Sequence, residues 1–298
     1  MSAPGTALDR AIDRVLAVAG DADGVERSAG LLVFQRILLL HLAVRTGFEK
    51  FPFERGMPEL PLLLAAVFAA CLAATFVRRL VPIAIAGALC GMLALLHATF
   101  PKTSNHFFLE LWVLLLSLVI GGDREGEAPV LLAALRFSIA ILLFYTGVQK
   151  LLYGTYFHGQ YLLVEMALKP PFAAVLGWTL PADELARVTA ELPDHVGAGP
   201  YRTDAPLLLL ASNAVYLFEL AIPGALLWRR TRAPAVVAVG VFVFAIQSGA
   251  TELFFGALLV NCVLLFWPRD LHRRAWPVFV GFYLLLIGLE LWTPWRFV

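Results

Sequence analysis

The sequence predicts an all-α, polytopic integral membrane protein, and three observations carry that prediction. Of 298 residues, 60% are hydrophobic and only 15% charged, with a mean hydropathy of +0.80. A soluble domain of this length has no interior large enough for so much apolar surface, so lipid must be the solvent for most of the chain. The apolar residues fall in continuous runs, most about 17 to 24 long, where a transmembrane barrel would show alternating segments of about ten. Backbone groups inside lipid must then satisfy one another, which requires helices.

The N-terminal segment, residues 1–28, has a short, weakly apolar stretch between acidic and basic residues. Without the basic start and long apolar core of a cleaved signal, it is expected to be retained as an amphipathic surface segment. Residues 29–298 are then expected to form one transmembrane domain with no separate soluble part. Nine candidate spans lie at 31–48, 60–77, 81–99, 107–120, 130–152, 207–228, 234–249, 253–267 and 276–292. The fourth and eighth are short, so the expected total is about eight to nine.

Arg10, Arg14 and Arg27 precede the first span, and Arg78 and Arg79 follow the second. Arg124 follows the fourth span, Arg229, Arg230 and Arg232 the sixth, and Arg269, Arg273 and Arg274 the eighth. The positive-inside rule makes these connections cytoplasmic, with the N-terminus. The extracytoplasmic side receives Lys50, the segment from Lys102 to His106, the long connection 153–206, and Thr251 with Glu252. Most of the unusual polar residues therefore converge there.

Pro170, Pro171, Pro181, Pro193 and Pro200 rule out a single helix across the long connection. Residues 172–180 are apolar but too short to span, and are expected to dip into the interface. Residues 182–192 have the pattern of a short amphipathic surface helix. A net charge of +1 gives no reason to expect a nucleic-acid partner. Cys71, Cys90 and Cys262 lie in apolar runs without metal-ligand spacing and read as small packing residues. His158, Asp194, His195 and Asp204 lack ligand spacing too, so no metal is expected.

The fifth span ends by bringing Tyr145, Gln149 and Lys150 to the membrane boundary. Arg136 lies fourteen residues before Lys150, which is about 21 Å along a helix and within about 40° of the same face. Charged residues in a span face a protein interior or a wet cavity, or they snorkel to the surface. In the segment PKTSNHFFLELW, Thr103 or Ser104 can cap the following helix. His106 falls in its first turn, with Glu110 four residues on, where a carboxylate can orient an imidazole. Asn213, Tyr216 and Glu219 form a polar stripe at intervals of three, suited either to a site or to a hydrogen bond joining two helices. Gln247, Ser248, Thr251 and Glu252 either help to close the same cavity or, the favoured reading, form a polar turn at a helix end. Arg36, His41 and Arg45 in the first span read as structural, with Glu49 placed to pair Arg45.

Several of these stretches resemble, in order, the membrane portion of vitamin K-dependent γ-glutamyl carboxylases and their bacterial relatives, the HTTM family. AGLLVFQRILL at 29–39 resembles the family's opening helix. KTSNHFF at 102–108, with Thr103, Asn105 and His106, resembles its Lys-Thr-Ser and Asn-His segment. FYTGVQKL at 144–151 resembles the lysine segment that ends its central helix, and Arg136 has the family's spacing ahead of that lysine. YLFELAIPGALL and QSGATELFFGALL resemble later helices more weakly. The resemblance implies that Lys150 is the base that deprotonates a vitamin K or menaquinone hydroquinone and that His106 stabilises the reacting species. Oxygen then converts the quinol to an epoxide, and carbon dioxide adds to a glutamate carbanion.

Partial desolvation among Phe144, Tyr145 and Leu151 would favour the neutral amine that such a base requires. Departures from the family are equally plain. Gln149 replaces a second lysine, Tyr156 stands where a tryptophan is expected, and Gln247 occupies what looks like a histidine position. The chain is expected to lack the family's extracytoplasmic domain, which a partner protein could supply. The expected setting is a bacterial inner membrane, with membrane lipids and a quinone as small-molecule partners. The rival expectation is a non-catalytic membrane module that binds a lipid or a partner protein.

Overall fold

A computed structural model describes residues 24–48, 59–100, 105–121, 127–191, 202–250, 252–267 and 271–292, and among them all regular elements are helical. The helices are α1 (Gly24–Phe48), α2 (Glu59–Phe76), α3 (Val81–Thr99), α4 (Asn105–Ile120), α5 (Glu127–Tyr153) and α6 (Gln160–Leu168). They continue with α7 (Pro170–Leu176), α8 (Ala182–Glu191), α9 (Pro206–Leu227), α10 (Arg232–Ala250), α11 (Leu253–Val263) and α12 (His272–Trp292). Each span expected from hydropathy corresponds to one of these helices. Six of them, α1, α3, α5, α9, α10 and α12, are long and apolar enough to cross a membrane, while α2, α4 and α11 belong to shorter apolar segments. The segment 1–23, Glu49, Lys50, Lys102, Thr103, Ser104, Arg124 and Thr251 lie outside the described residues.

Local chemistry sets the helix boundaries. Pro82, Pro170 and Pro206 sit at helix starts, where a missing N–H costs nothing. Gly154 ends α5 in the left-handed conformation (φ 68°), its N–H donating to the Lys150 carbonyl at 3.1 Å. Gly159 repeats that conformation (φ 71°) before α6, so a turn bounded by two glycines reverses the chain directly after Lys150.

The chain divides into two compact units, with the border inside α5 and again near the start of α11. In the first unit α1 packs against α2, α3 and α12, α2 against α3, and α3 against α4. Phe34, Ile37, Leu38, Leu39 and Leu42 of α1 are fully buried there. Asn261 donates from α11 to the Phe34 carbonyl at 3.2 Å, and His272 Nε2 donates to the Asn261 carbonyl at 3.2 Å. Arg136 does not snorkel. It is buried, its Nε donates to the Leu265 carbonyl at 2.7 Å, and its guanidinium lies over the Phe266 ring.

In the second unit α10 packs against α7 and α9, and α6 packs against α7, α8 and α9. Much of the long connection is therefore folded. Tyr156, Leu162, Leu163, Met166, Phe172, Leu180, Val188 and Leu208 share one apolar core. The apolar stretch expected to dip into the interface is α7 and a 3-10 turn, Gly177–Thr179, with Phe172 buried against Gly249 of α10. The amphipathic helix expected at 182–192 is α8, which turns Val188 inward between exposed Arg187 and Thr189. Of the cysteines, Cys71 and Cys262 are buried as expected, whereas Cys90 is exposed.

Candidate functional site

Gly147 of α5 is the residue that makes the site. A Cβ there would stand 2.9 Å from the Leu220 backbone nitrogen and 3.1 Å from the Glu219 carbonyl carbon, so only glycine lets α5 and α9 approach this closely. One turn further along α5, Lys150 then faces Glu219. Its Nζ donates to Oε1 at 2.7 Å and to Oε2 at 2.5 Å, a charge-assisted pair. The Lys150 side chain is 21% exposed and that of Glu219 8%, so the pair is sheltered but reachable. Pro223 inside α9 has no N–H to offer the Glu219 carbonyl one turn earlier, which adds polarity at the same point.

The turn after α5 covers this pair with aromatic rings. Lys150 Nζ lies 5.5 Å from the centre of the Tyr156 ring, and Tyr156 stacks on Tyr161 with centroids 4.9 Å apart. Two side chains of α9 strap the turn down. Ser212 Oγ donates to the Tyr156 carbonyl at 2.6 Å, and Asn213 Nδ2 donates to the Phe157 carbonyl at 3.3 Å. Tyr216 donates to Asn213 Oδ1 at 3.0 Å, so two members of the stripe seen in the sequence are joined, while Glu219 turns to Lys150.

Carboxylates shape the electrostatics of the stacked tyrosines. Burial first, then Tyr161 and the charges of Glu219 and Glu165, hold the Tyr156 hydroxyl well above the ordinary tyrosine range. Burial, followed by Glu165 and Glu252, pushes Tyr161 up to about 12. Both phenols are therefore neutral donors at physiological pH.

Other expected site residues are placed as follows. Gln149 is half-buried on α5. Tyr145, five residues before Lys150 and so about 140° round the helix, is exposed on a different flank and does not share its face. With its amide nitrogen turned towards Glu252, Gln247 donates to that residue's carbonyl and to its Oε2, both at 3.2 Å, which is the expected polar turn.

His106 and Glu110 belong to the first unit. His106 is half-buried in the first turn of α4, and Asn105 opens that helix. Glu110, expected to orient His106, meets partners on α1. Its Oε1 accepts from His41 Nε2 at 2.9 Å, and its second oxygen pairs with Arg45. In the neutral imidazole that leaves Nδ1 to accept from the Tyr283 hydroxyl, 3.0 Å away.

Tyr161, Glu165, Ser212 and Tyr283 carried no signal that singled them out, because their roles arise from contacts between distant segments. Glu219 was visible as an intramembrane carboxylate, but its partner was not. Together, the fold and these sites define the class as an all-helical, multi-pass membrane protein with a sheltered lysine–carboxylate pair. Comparisons with protein-family models, with curated proteins and with solved structures find no match.

Proposed function

We propose that this chain is a vitamin K-dependent carboxylase-like membrane protein that oxidises a reduced quinone at Lys150. The observation that carries the reading is the Lys150–Glu219 pair beneath the Tyr156–Tyr161 stack. Aromatic rings beside the amine suit a planar quinol head. Exposed Phe144, Leu151 and Leu152 near the same helix end offer apolar surface to its tail. Lys150 takes a hydroxyl proton from the quinol, and Glu219 is the group in contact that receives the proton the ammonium must first release. One oxygen atom of O2 then enters the quinol ring as the epoxide and the other leaves as water. Where carboxylation is coupled, a glutamate γ-proton is removed and CO2 joins the carbanion.

The proposed topology has about eight to nine spans, a cytoplasmic N-terminus and an extracytoplasmic connection 153–206, in a bacterial inner membrane. Where carboxylation is coupled, a partner protein could hold the peptide. The decisive experiment is oxygen-dependent conversion of a menaquinol or vitamin K hydroquinone to its epoxide by the purified protein, with Lys150→Ala as control. Epoxide from the wild type alone supports the reading, whereas none from folded protein across several quinols rejects it.

A second reading is favoured by the same bond. An ion pair between α5 and α9 also bolts a non-catalytic module that binds a lipid or partner protein. That reading requires ligand binding to survive Lys150→Arg, and no epoxide to form.

A further inference from the structure

The first unit contains a cavity of about 770 Å³ where the end of α4, the start of α3 and a flank of α1 come together. Arg78 and Arg79 line it from the 3-10 turn before α3, Gln35 from α1, Ser117 and Val119 from α4, and Glu127 from the start of α5. Arg78 and Glu127 also hold contacts within the protein.

Ser117 is 3% exposed, and no donor or acceptor among the described residues meets its Oγ. A helical hydroxyl in an apolar environment ordinarily bonds back to a carbonyl of its own helix. Thr46 and Thr75 of the same unit do so, at 2.7 Å to Leu42 and 2.8 Å to Cys71. Ser117 instead keeps a buried, unpartnered hydroxyl in the wall of a cavity that Arg78 and Arg79 also line.

The rim is apolar. Val119 is 73% exposed, and Ile83, Leu118 and Phe76 are exposed beside the lining residues. Two arginines against one glutamate, beside an unpartnered hydroxyl, recognise a phosphate, and the apolar rim suits a molecule whose remainder is hydrocarbon. We propose that this cavity binds the phosphate headgroup of an anionic phospholipid, with the acyl chains lying along the exposed faces of α3 and α4. The inference is independent of any role for Lys150.

The test titrates the purified full-length protein in detergent with short-chain phosphatidylglycerol, short-chain phosphatidylcholine or inorganic phosphate. Bound molecules are counted by native mass spectrometry, and thermal unfolding is followed in parallel. The wild type should retain phosphatidylglycerol about tenfold more strongly than phosphatidylcholine, the scale of one charge-assisted hydrogen bond. Arg78→Gln with Arg79→Gln should abolish that preference. Ser117→Ala should weaken it several-fold without lowering the unfolding temperature of the lipid-free protein, because the hydroxyl has no protein partner to lose. If the double variant fails to fold, Arg79→Gln and Ser117→Ala decide the matter. Inorganic phosphate that binds alone with the same sensitivity to these variants, and displaces the lipid, upholds the phosphate site and assigns it to the free anion. Equal retention of the two lipids, or a preference unchanged in Ser117→Ala and Arg79→Gln, overturns the proposal.

Discussion

Each unit places a glutamate opposite a basic side chain on another helix, and the two arrangements differ in what surrounds them. In the first unit Glu110 is locked between His41 and Arg45, with Tyr283 closing the far side of the imidazole. The side chains of His41 and Glu110 are 1% and 2% exposed. In the second unit Glu219 meets Lys150 and Thr146 of α5 across a glycine contact, under a turn held by two polar side chains of α9. A histidine–carboxylate contact this deeply buried can hold helices together but cannot meet a substrate. A sheltered pair whose lysine is 21% exposed at a helix end can do both. The comparison teaches that the presence of an intramembrane carboxylate does not separate a structural role from a chemical one, whereas access does.

The largest expected effect separates chemistry from architecture. Lys150→Arg keeps a cation opposite Glu219 but supplies no titratable base. It should leave the protein folded and lower epoxide formation by about 10²- to 10⁴-fold, the usual contribution of a general base, as read from product formation under oxygen. If Lys150→Arg retains full activity, the two units are alike in being structural.

Next comes the buried network. Glu110→Ala strands His41 and Arg45 without their carboxylate and should cost about 3–5 kcal/mol, seen as a large loss of thermal stability in detergent. A near-neutral result would show that water reaches this network, and so erase the contrast with Lys150. A smaller effect is expected from Gly147→Ala. Its new methyl meets backbone rather than a flexible side chain and should cost about 1–3 kcal/mol. It should also lower activity, because Lys150 and Glu219 separate; unchanged activity would show that their contact is dispensable.

The smallest effect concerns pH. Tyr161, pushed up to about 12 in the fold from an ordinary value of 10.0, stays protonated where the unfolded chain has already ionised. The unfolded state thus binds fewer protons between those values, so stability falls as pH rises from about 10 to about 12. Tyr161→Phe should flatten that decline, measured as unfolding temperature against pH. An unaltered slope would show that the fold does not hold the Tyr161 hydroxyl above its ordinary range.

The sequence by itself determined the helices and their approximate ends. Continuous apolar runs demand helices in lipid, prolines and glycines punctuate them, and both signals are local. It also marked Lys150, Glu219 and the amphipathic α8, because a charge in an apolar run or a polar stripe at helical spacing is visible within a few residues. Only the tertiary structure decided the partners. Glu110 lies 69 residues from His41, and Glu219 lies 69 residues from Lys150. Spacing of three or four residues reports neighbours on one helix and carries no information about which other helix packs against it. Gly147 and Ser117 show the same limit from opposite directions. One is a glycine whose purpose appears only when a second backbone lies against it, and the other a serine whose unused hydroxyl appears only when a cavity forms around it.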